Sequence, residues 1–353
     1  MDVEWGECVL SAGPVPSALQ TEVRRKLGAV PGWLPRVGRS PWVSRLCCEL
    51  VGSPFAFVSP ELADLVALVV SQDNSCRYCY GVQRAVMKIF RHSDAELDRL
   101  LHDFHLSGLA APERAALDFS RRVSRGHPRP GAADLEQLVR AGLERSAAVE
   151  VVGVVAAVSF MNRIATLLAL PPEALERAVV HPLFRIVRPL VAWRMRPRPP
   201  APEPPPSDGG PWAAIPVALG RSPMAGVVRR AIDGALASDV LPRRTKLFML
   251  AVIARALDCG YSLAESRRLL AEDGVEEGTI DEVLASLGSR RLEPRDVRLL
   301  GLARESVRYQ PATIQRRVHE ACADLSPDEL LESVAIAALG NSLCRLGPVL
   351  DVC

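Results

Sequence analysis

The sequence predicts an all-α protein, and three observations carry that expectation. Aromatic residues are only 5% of the 353 residues while Ala, Leu, Val and Arg abound, which suits packed helices better than a β-sandwich. Apolar residues, 48% of the chain, recur at helical spacing between Gly- and Pro-containing turns, and no period-two alternation competes. Helix starts are also legible: Ser59-Pro60-Glu61 joins an N-cap residue, a first-turn proline and an acidic residue.

The first helix so marked covers 60–71. Asn74-Ser75 interrupts it and can cap a second helix that begins near Cys76. Helices over 94–105, 112–124, 134–141 and 147–168 follow, separated by turns. The valine-rich segment 151–158 could be a strand by propensity alone, but its length together with SFMNRIATLLAL favours a buried helix. Later helices are expected at 243–257, 262–272, 280–286, 294–307, 313–323 and 327–343.

MRPRPPAPEPPPSDGGP, residues 195–211, divides the chain, because proline at this density excludes helix interiors and leaves an extended linker. Two domains are expected, 1–194 and 212–353, each large enough to bury a core. The halves resemble each other. GRSP at 38–41 returns at 220–223, ALVVSQDNSCRYC aligns without a gap with LAVIARALDCGYS, and FMNR with Asn162 has a counterpart in LGNS with Asn341. Matched anchors in one order at nearly constant separation indicate a tandem duplication.

With 43 Lys+Arg against 41 Asp+Glu, the charge is too balanced to argue for nucleic acid. No membrane partner is expected either: 151–170 is interrupted by Asn162 and Arg163, and 178–195 carries His181, Arg185, Arg188 and Arg194. The start MDVEWGECVL has no basic segment followed by an apolar stretch, so no signal peptide is read. Nine cysteines, an odd number in a chain that needs no disulfide framework, suggest a reducing cytoplasm.

In that setting Cys76-Arg77-Tyr78-Cys79 at a helix start is the chemically informative motif. Residues three apart share a helix face, so the two sulfurs can meet. A helix N-terminus lowers a thiol pKa, as would Arg77 if it pointed inward. A low-pKa thiol beside a second thiol can attack a peroxide, become a sulfenic acid and be resolved as a disulfide. Gln83 lies one turn beyond Cys79 on the same face.

SPELADLVALVVSQDNSCRYCYGVQ resembles the core motif of the carboxymuconolactone decarboxylase and alkylhydroperoxidase D-like superfamily. Downstream, APERAALDFSRRVS, LVRAGL and VEVVGVVAAVSFMNRIATLLALPPE have the order of its peroxidase-related branch, and LPRRTKLFMLAVIARALDCGYS looks like the same domain in degraded form. The resemblance implies two tandem helical domains and a thiol-dependent hydroperoxide reductase, a peroxiredoxin-like antioxidant oxidoreductase. Cys79 would be the peroxidatic thiol and Cys76 its resolving partner. A small organic hydroperoxide would be the substrate, a thioredoxin- or lipoyl-type dithiol the reductant, and a homo-oligomer the assembly. No metal or bound organic cofactor is implied. Access is expected through an apolar pocket between the Asp64 and Cys76 helices.

Two residues depart from the family pattern. Asp64 stands twelve residues before Cys76, where redox members have a relay Glu, and Gln83 stands where they have His. Glutamine is no base near neutral pH, and general-base assistance is worth roughly 10²–10⁴ in rate, so a weak peroxidase is expected. Tyr80 is the nearest titratable substitute. The alternatives are a redox-sensing or structural binding module of the same fold, and a decarboxylase-like enzyme, which would need a general acid or base that the motif does not offer. Zinc would need Cys47-Cys48 to complete four sulfur ligands.

In the second half Cys259 matches Cys76, while Ser262, Ser266 and Leu247 replace Cys79, Gln83 and Asp64. No dithiol is expected there, and that half reads as a structural partner. Cys8, Cys322, Cys344 and Cys353 read as isolated, and His102 and His105 as a solvated helix face beside Asp98 and Asp103. His127 sits in a GHPRP turn without chemical duty, and Asn162, Arg163 and Asn341 read as helix-packing residues.

Overall fold

The computed structural model describes residues 3–352 except 53, 91, 107, 127–128, 196–198, 207–208 and 309; His127, Cys353 and the side chain of Cys322 lie outside the described residues. It is all-α, with no strand among the described residues. In chain order the first half holds α1 (Ser17–Leu27), α2 (Leu34–Val37), α3 (Pro41–Val51), α4 (Pro60–Asp73), α5 (Arg77–Ile89), α6 (Asp94–His102), α7 (Ala111–Arg125), α8 (Ala132–Arg140) and α9 (Arg145–Leu168). Two further helices, α10 (Ala174–Ala178) and α11 (Phe184–Met195), precede the proline-rich segment. Beyond it come α12 (Ala214–Ala218), α13 (Met224–Ala237), α14 (Arg243–Ala256), α15 (Gly260–Glu272), α16 (Glu277–Ser286), α17 (Pro294–Glu305), α18 (Pro311–Cys322) and α19 (Pro327–Val349).

Local signals explain several boundaries. The Ser59 hydroxyl accepts from the Leu62 N–H at 3.1 Å and caps α4, with Pro60 in its first turn. Ser93 with Glu96 and Ser326 with Glu329 form capping boxes at α6 and α19. The helix expected over 94–105 stops at His102 and gives way to a 3₁₀ turn, Phe104–Leu106. The last helix continues past 343 to Val349, with Pro348 inside its final turn.

Two helices, α9 and α19, pack along each other at the centre and are buried for nearly their whole length. Both are long and apolar enough to cross a bilayer by length and composition, but 89% and 100% of their apolar windows are buried inside the protein. Burial inside the fold therefore distinguishes α9 from an exposed span, rather than the interruption at Asn162 and Arg163. Each fully buried Leu or Val contributes roughly 1.5–3 kcal/mol, and the stripe continues through both halves as one core.

Side chains cross between the halves. Buried Glu150 on α9 accepts the N–H groups of Ala56, Phe57 and Val58 at 2.6–2.9 Å and the Ser222 hydroxyl at 2.6 Å. It thereby fixes the segment that leads into α4. Reciprocally, the Trp42 indole N–H donates to Glu332 on α19 at 2.7 Å. A Cβ at Gly234 would stand 2.7 Å from the Trp42 Cβ, so α13 lies against α3 only because that position lacks a side chain.

Candidate functional site: a dithiol at the start of α5

The turn between α4 and α5 positions the cysteines. Ser75 takes a left-handed conformation (φ 51°), and the Cys76 N–H donates to the Ser71 carbonyl at 3.0 Å, closing α4 in a Schellman-type end. Asn74 and Ser75 thus terminate α4, and the residue that caps α5 is Cys76, where Asn74-Ser75 was expected to do so. The Cys76 Sγ accepts the Cys79 N–H at 3.4 Å. Asn74 turns inward instead: its amide donates to Asn162 Oδ1 at 3.0 Å and its oxygen accepts from Ser124 at 2.8 Å, while Asn162 donates to Ser71 at 3.1 Å. This buried network anchors the turn to α9 and α7.

The two thiols are unequal. Cys76 is fully buried, whereas Cys79 is half-buried. Burial opposes ionisation of Cys76, but the Cys79 thiol and N–H, the Thr166 hydroxyl and the Arg163 charge together outweigh it and bring the Cys76 thiol below its ordinary value. Burial and the neighbouring Cys76 sulfur push Cys79 well above the ordinary value, with the Asn162 amide opposing. Of the two, Cys76 is therefore the sulfur that gives up its proton first and Cys79 the one that keeps it longer. Buried Cys47 lies close enough to raise Cys79 slightly further.

Arg163 performs the electrostatic part that sequence reasoning offered to Arg77. Arg77 is exposed and points away, beside Glu176. Arg163 is 2% exposed and held from the other half of the chain, donating to the Val307 carbonyl at 3.0 Å and to Asn341 Oδ1 at 3.1 Å. Asn162, Arg163 and Asn341, read as packing residues, thus also set the environment of the thiols. The recurrence of Asn in both repeats was the signal that could have found them.

Asp64 and Gln83 come together: the Gln83 amide donates to Asp64 Oδ1 at 2.7 Å. Burial raises the Asp64 carboxyl to about 6, partly offset by that hydrogen bond. Tyr80 faces the other side of α5, where its hydroxyl accepts from Arg84 at 3.1 Å. On that side a groove of about 270 Å³ is bordered by Arg77, Arg84, Lys88, Asp94 and Glu176. Its rim is charged and neither cysteine nor Asp64 lines it, unlike the apolar pocket expected between the Asp64 and Cys76 helices. Gly81 admits the Glu176 carboxylate, which a Cβ at this position would meet head-on, and so lets α10 close this face. Tyr78 is tied down on the same face by donating to Glu173 at 2.6 Å.

The second half repeats the turn. Asp258 has φ 51°, the Cys259 N–H donates to the Ala254 carbonyl at 2.8 Å, and Cys259 occupies the N-cap of α15 with nearly the backbone angles of Cys76. Ser262 stands where Cys79 stands in the first half, and Cys344 on α19, read as isolated, has the Cys259 thiol as a neighbour. The two thiols act on each other's ionisation, and both are free. Elsewhere, His102 and His105 are exposed as expected, and His105 pairs with Asp118 at 3.3 Å.

An all-helical chain with a capping cysteine and a second thiol one turn on is the class that fold and site define. No family model matches the sequence, and no curated protein matches it. The structure is similar to that of an alkylhydroperoxidase AhpD core, an uncharacterized peroxidase-related protein from Ralstonia eutropha, at 19% identity and a TM-score of 0.43. That likeness covers 49% of this chain and 96% of the other. A second similar structure is an uncharacterized peroxidase-related protein from a Silicibacter species, at 22% identity and a TM-score of 0.43, over 49% of this chain and 95% of the other.

Proposed function

We propose that the chain is a slow thiol peroxidase in which Cys76 and Cys79 reduce a small organic hydroperoxide and a thioredoxin- or lipoyl-type dithiol restores them, in a reducing cytoplasm. The observation that carries this reading is the α5 N-cap, where the Cys76 sulfur accepts from the Cys79 backbone and ionises more readily than its neighbour, while Cys79 is the more accessible sulfur. With glutamine in place of a histidine, Cys76 itself serves as the base. It takes the Cys79 proton as Cys79 attacks the distal peroxide oxygen, the O–O bond breaks, and the alkoxide leaves as alcohol with a solvent proton. The Cys76 sulfur then attacks the Cys79 sulfenic acid and loses its proton to the departing hydroxide. Water leaves and the disulfide closes, so two electrons pass from the thiols to the peroxide.

Sulfenic-acid trapping with dimedone tests the assignment. In Cys76→Ser the label accumulates on Cys79, because nothing resolves the sulfenic acid. In Cys79→Ser, fully buried Cys76 takes up little. Label confined to Cys76 of Cys79→Ser would reverse the two roles, and absence of both label and disulfide would remove the peroxidase reading. The redox-sensing alternative is favoured by one feature, the engagement of Gln83 with Asp64. Disulfide formation without turnover in the presence of thioredoxin and its reductase would select it.

A further inference from the structure

The chemistry read at Cys76 and Cys79 leaves a second pair of thiols unused. Cys259 stands at the N-terminus of α15, delivered there by the same left-handed turn that delivers Cys76. Its sulfur lies against α19: a Cβ on Gly347 would be 3.6 Å from the Cys259 Sγ, and Gly347 is one turn beyond Cys344. Both sulfurs are buried, at 1% and 6% exposure. Ser262, one turn along α15 from Cys259, is 3% exposed, and its hydroxyl has no hydrogen-bond partner among the described residues. It lies close enough to influence both thiols. A buried hydroxyl without a partner is costly, and a neighbouring thiolate is an acceptor it can turn to.

We propose that Cys259 and Cys344 form a second redox dithiol, which a small hydroperoxide closes into a disulfide between α15 and α19. The hydrogen bond from Cys344 is the largest influence that brings the Cys259 thiol down to about 6. Burial opposes it, and Ser262 and the Arg129 charge assist. Cys344 is held well above its ordinary value by the same hydrogen bond and by burial. Neither sulfur is exposed, so accessibility does not choose between them as it does at Cys79, and the more readily ionised Cys259 is the attacking sulfur. It takes the distal peroxide oxygen, the O–O bond breaks, and the alkoxide or hydroxide leaves with a solvent proton. Cys344 then attacks the Cys259 sulfenic acid and gives its proton to the departing hydroxide, so that water leaves. Two thiols are oxidised by two electrons and one peroxide is reduced. Burial of both sulfurs confines the oxidant to a hydroperoxide as small as hydrogen peroxide.

The site is tested in full-length Cys76→Ser/Cys79→Ser, which silences the first pair and makes the result independent of the function proposed above. The protein is treated with stoichiometric hydrogen peroxide, alkylated and mapped by mass spectrometry without reduction. The expected result is one cross-linked peptide containing Cys259 and Cys344, the loss of two alkylatable thiols, and their return with dithiothreitol. With Cys344→Ser added, dimedone labels Cys259 and no cross-link forms, while circular dichroism and melting temperature confirm folding. The pH dependence of Cys259 alkylation gives a second readout, with a midpoint near 6. The proposal is overturned if Cys259 stays fully alkylatable at peroxide doses that oxidise the guanidine-unfolded chain, or if its midpoint lies near the free-cysteine value of about 8.5.

Discussion

Replacing Thr166 by valine removes one hydroxyl from the pocket of the Cys76 sulfur and almost nothing else. The side chain is 3% exposed, and its oxygen has no nitrogen or oxygen partner, so an isosteric valine breaks no other hydrogen bond. The hydroxyl favours the charged form of Cys76. A hydrogen bond to a charged group is worth about 1.5–3 kcal/mol net, and this hydroxyl, which forms no such bond in the resting geometry, belongs at or below the low end of that range. At about 1.4 kcal/mol per pH unit, the first ionisation of the dithiol rises by about one unit. The sign follows from what is lost: an anion deprived of a donor holds its proton more tightly. Below the new pKa the singly ionised pair becomes roughly tenfold scarcer, and the acid limb of the peroxide-reduction profile moves up by about one unit. Alkylation of Cys76 followed by mass spectrometry across pH gives the ionisation directly, and Thr166→Ser, which keeps the donor, restores the original profile. Superimposable titrations of Thr166→Val and the parent protein would refute the assignment of charge to Cys76.

Gln83→His places an imidazole against Asp64, which already accepts from this position at 2.7 Å, and peroxide turnover should rise at least tenfold because a general base is restored; an unchanged rate would mean that residue 83 does not reach the thiols. Asp64→Asn should remove a pH dependence of stability. The folded carboxyl titrates near 6, above its ordinary 3.8, so the parent loses stability as pH rises from about 4 to 6, and the asparagine variant should melt higher at pH 7 with a flatter profile by calorimetry. Glu150→Ala orphans three backbone N–H groups and the Ser222 hydroxyl; at about 1–3 kcal/mol per orphan, and with partial relaxation, a loss near 4 kcal/mol is expected in urea unfolding, whereas a loss under about 1 kcal/mol would show that water replaces the carboxylate.

Most of the helices that build the site were legible because their signals are local. Ser59-Pro60 marks the start of α4, and valine-rich 151–158 falls inside α9 because the mostly apolar run that continues to Leu170 outlasts any strand. Helices α1 to α3 and α10 to α13 went unread. Pro41, Pro189 and Pro223 stand in or beside three of them, and proline reads as a breaker unless the first-turn position is recognised. At the site, CxxC was visible because its partners are three residues apart on one face. Cys259 and Cys344 were not, because helical periodicity says nothing about which residues of α15 and α19 face one another. In the register that sets Asn162 opposite Asn341, Cys344 stands where Ala165 stands, so alignment of the halves gives no sign of a thiol at that position.

The same register explains why the second half is more than a scaffold for the first. Arg163 brings positive charge to Cys76, but the groups that hold its guanidinium, the Val307 carbonyl and Asn341 Oδ1, belong to the second half. Asn341 Oδ1 also accepts from Arg345 at 3.2 Å, and Arg345 reaches back to the Ser124 carbonyl at 3.1–3.2 Å. Ser124 in turn donates to Asn74, the residue that ends α4 just before Cys76. The turn that positions the first dithiol is thus fastened through Arg345, the neighbour of Cys344, and the charge that favours its thiolate is fastened through Asn341. The second half is therefore part of the first dithiol's support: without it the Arg163 guanidinium would lose the Val307 carbonyl and Asn341 Oδ1, and the Asn74 turn would lose the fastening through Arg345.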